Sequence, residues 1–193
     1  MPDINREDAR YQLAEEAIRG AFLLLCEDMD PEKISVSELS RRAGIVRSAF
    51  YHHYDDIFAL MQTMENEILQ HLETMLMKFN PHGDRDACRT FFRTLCDYTA
   101  SNAFFSRLLQ GEHASIFIGQ LLHMLHTYAL TARKNLNDQK NAFADPDYAV
   151  AYAIGGILGI LHKWTQDGCV SSSDEIAVMM TNLFLNGMSE FYV

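Results

Sequence analysis

The sequence lacks any uncharged apolar run of about 18 residues or more, the length that a membrane-spanning helix needs. Its first residues, MPDINREDAR, also lack the apolar segment of a secretory signal. Basic residues are also few, with 16 basic against 26 acidic side chains and a net charge of −10. We therefore expect a cytoplasmic protein without a membrane partner, in which any contact with nucleic acid is local, because long-range repulsion opposes phosphates.

Cysteine and proline are scarce, with four of each. The cysteines show no Cys-x-x-Cys spacing, which argues against a zinc site and predicts reduced, mostly buried thiols. Between the prolines, apolar residues recur at intervals of three and four instead of alternating, so the sequence predicts an all-α fold. Gly-rich phosphate loops, GxSxG and HExxH motifs are all missing, so we predict neither a catalytic site nor a cofactor.

Capping signals divide the N-terminal part into short helices. An apolar stripe from Tyr11 to Leu25 predicts a first helix that ends near EDMDPEK. Ser35 with Glu38 forms a capping-box pattern that predicts a helix from Val36 to Arg42. Gly44 supplies a turn before a second short helix, Val46 to His53. Asp55 as N-cap and Asp56 in the first turn then open a long helix that runs from Ile57 to Phe79. Further helices are predicted over 85–101, 103–110, 113–137, 147–167 and 174–191.

Two short helices joined by a glycine turn form the pattern of a helix-turn-helix. The predicted inward residues are Val36, Leu39, Ala43, Ile45, Phe50 and Tyr54, packed against Ile18, Phe22 and Leu60. The outward residues of the second short helix are Arg47, Ser48, Ala49, Tyr51 and His52, which suit a major groove. Between Lys33 and Tyr54 four basic residues face one acid, a local balance of +3. The same pattern also occurs in ordinary helical bundles, with the Tyr-His-His tract as a solvated edge.

ISVSELSRRAGIVRSAFYHHYDDIFAL resembles the N-terminal signature of the TetR family of transcriptional regulators, over roughly residues 6 to 62. The resemblance implies a helix-turn-helix DNA-binding domain over 1–54 and a larger helical effector-binding and dimerisation domain over 55–193. It places Ser35, Tyr51, His52 and His53 at phosphates or in the groove and Arg47 and Ser48 at base edges, with Ala49 beside them. It makes Phe50 and Tyr54 core residues.

Residues 152–184 are similar to the closing two helices of many TetR members, which pair with those of a second subunit as a four-helix bundle. Gly155, Gly156 and Gly159 permit close approach there, or serve packing within the subunit. Trp164 is interpreted as an aromatic of the dimer interface, with a pocket as the alternative. The resemblance implies a variable effector-binding region over 80–145.

Three features depart from the family pattern. Val46 stands where Ser or Thr usually opens the recognition helix, and Ser48 and Ala49 replace Gly and Thr. Ile57 occupies the place of a common phosphate-binding lysine. With the acidic pair Asp55 and Asp56 nearby, we expect moderate and salt-sensitive DNA binding.

The resemblance implies a homodimeric regulator that binds a palindromic double-stranded operator and is released by a small-molecule effector, with repression as the default. The alternative is a helical ligand- or protein-binding module of the same fold that has lost DNA binding. Four histidines (His113, His123, His126, His162) could be considered as metal ligands, but they lack an acidic or thiolate partner at a matching spacing, so no metal site is predicted.

Overall fold

The computed structural model describes residues 6–79, 84–110, 115–135 and 146–187. These ranges contain α-helices and a 3-10 turn at Pro31–Lys33, but no strand. The predicted all-α fold is therefore confirmed. No helix in these ranges is long and apolar enough to cross a membrane. The helices are α1 (Arg6–Asp28), α2 (Val36–Ala43), α3 (Arg47–Tyr51), α4 (Ile57–Lys78), α5 (Arg85–Ser101), α6 (Ala103–Gln110), α7 (Ser115–Asn135), α8 (Pro146–Gln166) and α9 (Ser173–Asn186).

At two helix starts the capping residue differs from the predicted one. The Oδ1 atom of Asp56, not of Asp55, accepts a hydrogen bond from the backbone N–H of Ala59 at 2.8 Å, so Asp56 is the N-cap of α4. Helix α9 is capped by Ser172, two residues before the predicted first residue 174, in a reciprocal capping box with Glu175. The predicted ends of the last helix and of the 113–137 helix lie outside the described residues.

The chain divides into two compact units, with the division inside α4. The N-terminal unit extends to Glu67 and includes Asn102–Arg107, and the C-terminal unit comprises Ile68–Ser101 and the chain from Leu108 onward. The N-terminal unit is thus larger than the predicted segment 1–54. Side-chain contacts account for the difference, because Glu67 pairs with Arg19 at 2.6 Å and the Phe104 ring lies 5.1 Å from Phe22.

The end of α1 is held by a residue far along the chain. Arg107 in α6 donates hydrogen bonds of 2.7 Å to the carbonyl oxygens of Cys26 and Glu27. The last carbonyls of a helix have no partner within the helix, and α1 has no basic residue in its last turn. Arg107 therefore supplies the cap that the local sequence does not.

In the C-terminal unit, α5 packs along α9. Phe92 is fully buried and its ring lies 5.6 Å from that of Phe184. Trp164 is also buried in this unit, with 4% of its surface exposed, and its indole N–H donates to the carbonyl oxygen of Ser171 at 2.9 Å. The interpretation of Trp164 as a dimer-interface aromatic is therefore wrong for a side chain already covered by its own subunit.

Candidate DNA-binding surface

Helices α2 and α3 are joined by a tight turn whose geometry follows from the local sequence. Ser35 caps α2 by accepting the backbone N–H of Glu38 at 3.2 Å. The Glu38 carboxylate pairs with Arg41 at 2.5 Å, so only half of the predicted capping box is recorded. Gly44 ends α2 in the left-handed conformation, with φ of 69°, which glycine adopts without a steric penalty. The turn then leads directly into α3.

Buried aromatic and aliphatic side chains hold α3 in place. Phe50 and Leu39 are completely buried. Tyr54 is 7% exposed, and its hydroxyl lies 3.1 Å from a carboxylate oxygen of Glu15 and 3.2 Å from Nε of Arg19. Burial raises the pKa of Tyr54 to about 12, so its hydroxyl remains protonated and donates to Glu15. The expectation that Phe50 and Tyr54 belong to the core is confirmed.

The predicted outward residues occupy the opposite side of α3. Arg47, Ser48 and His52 are exposed, and Tyr51 has 56% of its surface in solvent. Ala49 is half-buried. Three polar side chains of this five-residue helix, together with that of its C-cap residue His52, thus surround a small residue. This arrangement lets the backbone approach a groove while the polar groups reach base edges and phosphates.

His53 does not share that exposure. Its ring lies 3.9 Å from the ring of Tyr11 in α1, and its Nδ1 atom is buried without a hydrogen-bond partner in the described part of the chain. Burial lowers the pKa of His53 below its ordinary value. Ser35 is exposed, although its oxygen already accepts the capping bond. Contacts of either residue with DNA stay predictions.

Two of the four basic side chains in this segment are already neutralised. Lys33 pairs with Asp30 at 2.5 Å, and Arg41 pairs with Glu38. The count of +3 overlooked Asp30, because it lies just before the segment counted. Among the described residues no carboxylate pairs with Arg42 or Arg47, both of which are exposed. Arg42 and Arg47 therefore carry most of the positive charge in this segment that no carboxylate compensates.

Arg47 has a partner in the preceding helix. Its terminal guanidinium nitrogen donates a hydrogen bond to the hydroxyl oxygen of Ser37, an exposed residue of α2. The two residues are ten positions apart, and only the crossing of α2 and α3 brings them together. No periodicity in the sequence signals this contact.

The departures from the family pattern lie next to this surface. Asp55 and Asp56 are both exposed, and Asp56 is engaged in capping α4. Ile57, in the place of the common lysine, is half-buried at the first position of α4. The start of α4 therefore adds negative charge and no cation.

The other candidate sites do not assemble. No group of three or more potential metal ligands occurs among the described residues, and His113 lies outside them. His162 places Nδ1 2.5 Å from the carbonyl oxygen of Leu109. Cys26 and Cys96 are free and buried, as predicted, and burial raises the pKa of each thiol to about 12, which leaves it protonated.

One face of α8 is open. Gly155, Gly156 and Gly159 are exposed, and a Cβ atom built on any of them would meet no atom within 4 Å outside its own stretch of helix in the described ranges. Among the described residues of the subunit, none packs closely against these glycines. Tyr148 and Tyr152 on the same helix are 78% and 62% exposed.

Sequence comparison assigns this architecture to a family. The TetR family profile described as "Transcriptional regulator C-terminal region" matches residues 86–186, which is more than half of the chain. The chain belongs to the TetR family of transcriptional regulators. Its membership makes it a regulator and not an enzyme. The resemblance to this family in the N-terminal sequence is thus confirmed.

A second match is to an uncharacterised helix-turn-helix transcriptional regulator of Bacillus subtilis, YxbF. It is 39% identical over 70 residues, which cover 34% of this TetR-family chain and 18% of the relative. The chain therefore spans less than a fifth of the length of that relative.

Solved TetR-like structures share the fold. A TetR-family regulator from Streptomyces coelicolor has a TM-score of 0.70 at 16% identity, covering 93% of this chain and 81% of its own. The fatty acid degradation regulator FadR from Bacillus halodurans has a TM-score of 0.66 at 12% identity, covering 92% and 96%. FadR from Bacillus subtilis, in complex with stearoyl-CoA, has a TM-score of 0.65 at 12% identity, covering 90% and 98%.

Proposed function

We propose that this TetR-family regulator is a cytoplasmic homodimer that binds palindromic double-stranded DNA through α2 and α3. The proposal rests on one observation: α3 buries one side chain in the core and leaves its polar side chains in solvent. Phe50 anchors the helix in the core, while Arg47, Ser48, Tyr51 and His52 remain exposed. A short helix with this division suits a major groove, and Arg42 beside it supports contact with the phosphate backbone.

The open face of α8 supports the dimer. Small residues without neighbours let two helices approach closely, and the exposed Tyr148 and Tyr152 would gain burial from a second subunit. In such a dimer the two copies of α3 would enter successive major grooves, about 34–36 Å apart. A pseudo-palindromic operator follows from the two-fold symmetry of the dimer.

We further propose that a small effector binds the C-terminal unit and releases the DNA, with repression as the default direction. An effector shifts the equilibrium only by its differential affinity for the DNA-binding and the released state. The FadR of Bacillus subtilis is in complex with stearoyl-CoA, which makes a long-chain acyl-CoA the first compound to test.

The test is a gel-shift titration of the dimer with DNA from upstream of its own gene. Replacing Arg47 and Tyr51 together with Ala is expected to abolish specific binding, because base-edge and phosphate contacts are lost, while circular dichroism and dimer mass stay unchanged. Arg93→Ala, which removes an exposed cation from α5, is the matched control and should bind as the wild type does. Unchanged binding by the double variant would refute the assigned surface.

The second candidate is a ligand- or protein-binding module without DNA affinity. The exposed acids Asp55 and Asp56, together with Ile57, favour it, because they place negative charge where the family commonly has a lysine. Absence of any shift at low salt, at every protein concentration and with every DNA fragment tested, would select this candidate over the first.

A further inference from the structure

An apolar side chain stands in solvent where α3 begins. Val46 is the N-cap of α3 and has 69% of its surface exposed. Its carbonyl oxygen accepts the backbone N–H of Ala49 at 2.9 Å, which fixes its backbone at the start of the helix. Ser, Thr, Asp or Asn is strongly preferred at this position, since its side chain caps the helix. Valine offers no cap and is not covered by its own unit.

The side chain of the next residue, Arg47, is held by a hydrogen bond to α2. Arg47 donates from one terminal nitrogen to the Ser37 hydroxyl, and no carboxylate among the described residues competes for it. A guanidinium has five N–H donors, so this bond leaves enough of them for a bidentate contact. Ser37 thereby restricts a long and otherwise flexible side chain before any DNA arrives.

These two side chains match two groups that bases present in the major groove. Guanine presents its N7 and O6 atoms as paired acceptors, to which Arg binds in bidentate fashion, and thymine presents a C5 methyl group, which apolar side chains contact. A phosphate also offers paired acceptor oxygens to Arg, but it carries no methyl group, so the exposed valine is the feature that points to a base. Because the two residues are consecutive, the base pairs that they meet would be neighbours.

Resting on the proposed function, we infer that Arg47 reads a guanine and Val46 reads the methyl group of a thymine at a neighbouring base pair in each half-site. Ser37 is a positioning residue that acts through Arg47. The exposed valine, which is unfavourable for the helix alone, thus has a role as a specificity determinant.

The experiment begins with selection of binding sites from a random DNA pool by the full-length wild-type protein. The selected half-sites are expected to contain a guanine beside a thymine. On the preferred site, 7-deazaguanine removes the N7 acceptor and should weaken binding by about 5- to 150-fold. Deoxyuridine in place of thymidine removes only the methyl group and should weaken binding by about fourfold.

Variants assign each effect to its side chain. In Val46→Ala the uridine effect should shrink while the deazaguanine effect persists, because alanine reaches less far than valine. In Arg47→Lys the deazaguanine effect should shrink while the uridine effect persists, because lysine lacks the planar fork. Val170→Ala, at a valine that is 87% exposed in the turn before α9, is the matched control and should keep both effects. Ser37→Ala should reduce the deazaguanine effect alone, whereas a merely structural loss would weaken both.

The outcomes distinguish a failure of the proposed DNA-binding function from a failure of this inference about base recognition. Failure to enrich any sequence removes the proposed DNA-binding function and this inference with it. Enrichment of a site at which the wild type is indifferent to both base analogues, or at which Val46→Ala retains the full uridine effect, overturns the inference and leaves DNA binding intact.

Discussion

His53 shows how much one ring depends on its neighbours. It follows the exposed His52 directly, yet its ring packs against Tyr11 and its Nδ1 atom is buried without a partner in the described part of the chain. An unpaired buried polar atom costs stability, and a charge there would cost more. Burial is the largest cause that lowers the pKa of His53, and the neighbouring His52 lowers it further. The carboxylate of Glu15 has the opposite effect and raises this pKa.

His53→Phe is expected to weaken the pH dependence of stability. The folded pKa of His53 is lowered, so as the pH falls through about 6.5 the unfolded chain takes up a proton that the folded chain resists. The wild type should therefore lose unfolding free energy between pH 7.5 and 5.5, and the variant, whose ring can still pack on Tyr11, should lose less. Urea denaturation at both pH values measures the difference.

His52→Phe is the matched control, because this neighbouring ring is exposed, and it should keep most of the wild-type pH dependence. The partners of Asp30, Glu38 and Asp174 lower the pKa values of these carboxyls, so their contributions are lost only below this pH window. Equal pH dependence in the wild type and His53→Phe would show that the buried imidazole is not responsible.

At the scale of elements, the backbone conformation of the turn between α2 and α3 depends on a single residue. Gly44 has a φ of 69°, and a Cβ atom added there would meet no atom of the described residues within 4 Å beyond its immediate chain neighbours. The only cost of a side chain is therefore the left-handed backbone conformation. A substitution at Gly44 therefore measures the cost of the backbone conformation without a change in packing.

Gly44→Ala is expected to destabilise the protein by about 1–2 kcal/mol, the cost of placing a Cβ atom in the left-handed region. Gly119→Ala is the matched control, since Gly119 lies in α7 with open space around it and alanine favours a helix. Chemical denaturation should give opposite signs for the two variants. A neutral Gly44→Ala would mean that the turn relaxes without cost.

At the scale of the whole molecule, the face of α8 formed by Gly155, Gly156 and Gly159 bears on assembly. Its helical glycines each weaken an isolated helix relative to alanine, by roughly 0.5–1 kcal/mol. They make no close contact with other elements in the part of the chain that the structure describes. A second subunit supplies a reason for that cost, because a backbone without side chains permits close helix contact.

Gly159→Leu is therefore expected to shift the protein from dimer to monomer, as measured by sedimentation equilibrium, while its helix content stays at the wild-type level. Gly20→Leu places the same side chain on an open, exposed glycine of α1 and should leave the dimer intact. A dimer that tolerates Gly159→Leu would place the subunit interface elsewhere.

The sequence by itself determined the helices and the family. Apolar spacing, the Ser35 cap and the Gly44 turn act over a few residues, so α2, α4, α5 and α6 lie close to their predicted positions. The burial of Phe50 and Tyr54 and the exposure of Arg47 and Tyr51 also follow from helical periodicity.

Tertiary structure decided the features that depend on contacts between distant residues. The stacking of His53 on Tyr11, the bond from Arg47 to Ser37 and the cap that Arg107 places on α1 each require helices to cross. The same holds for Glu67, whose bond to Arg19 extends the N-terminal unit into α4. Local periodicity assigns a residue to a face of its helix, but only packing determines which side chain meets it there.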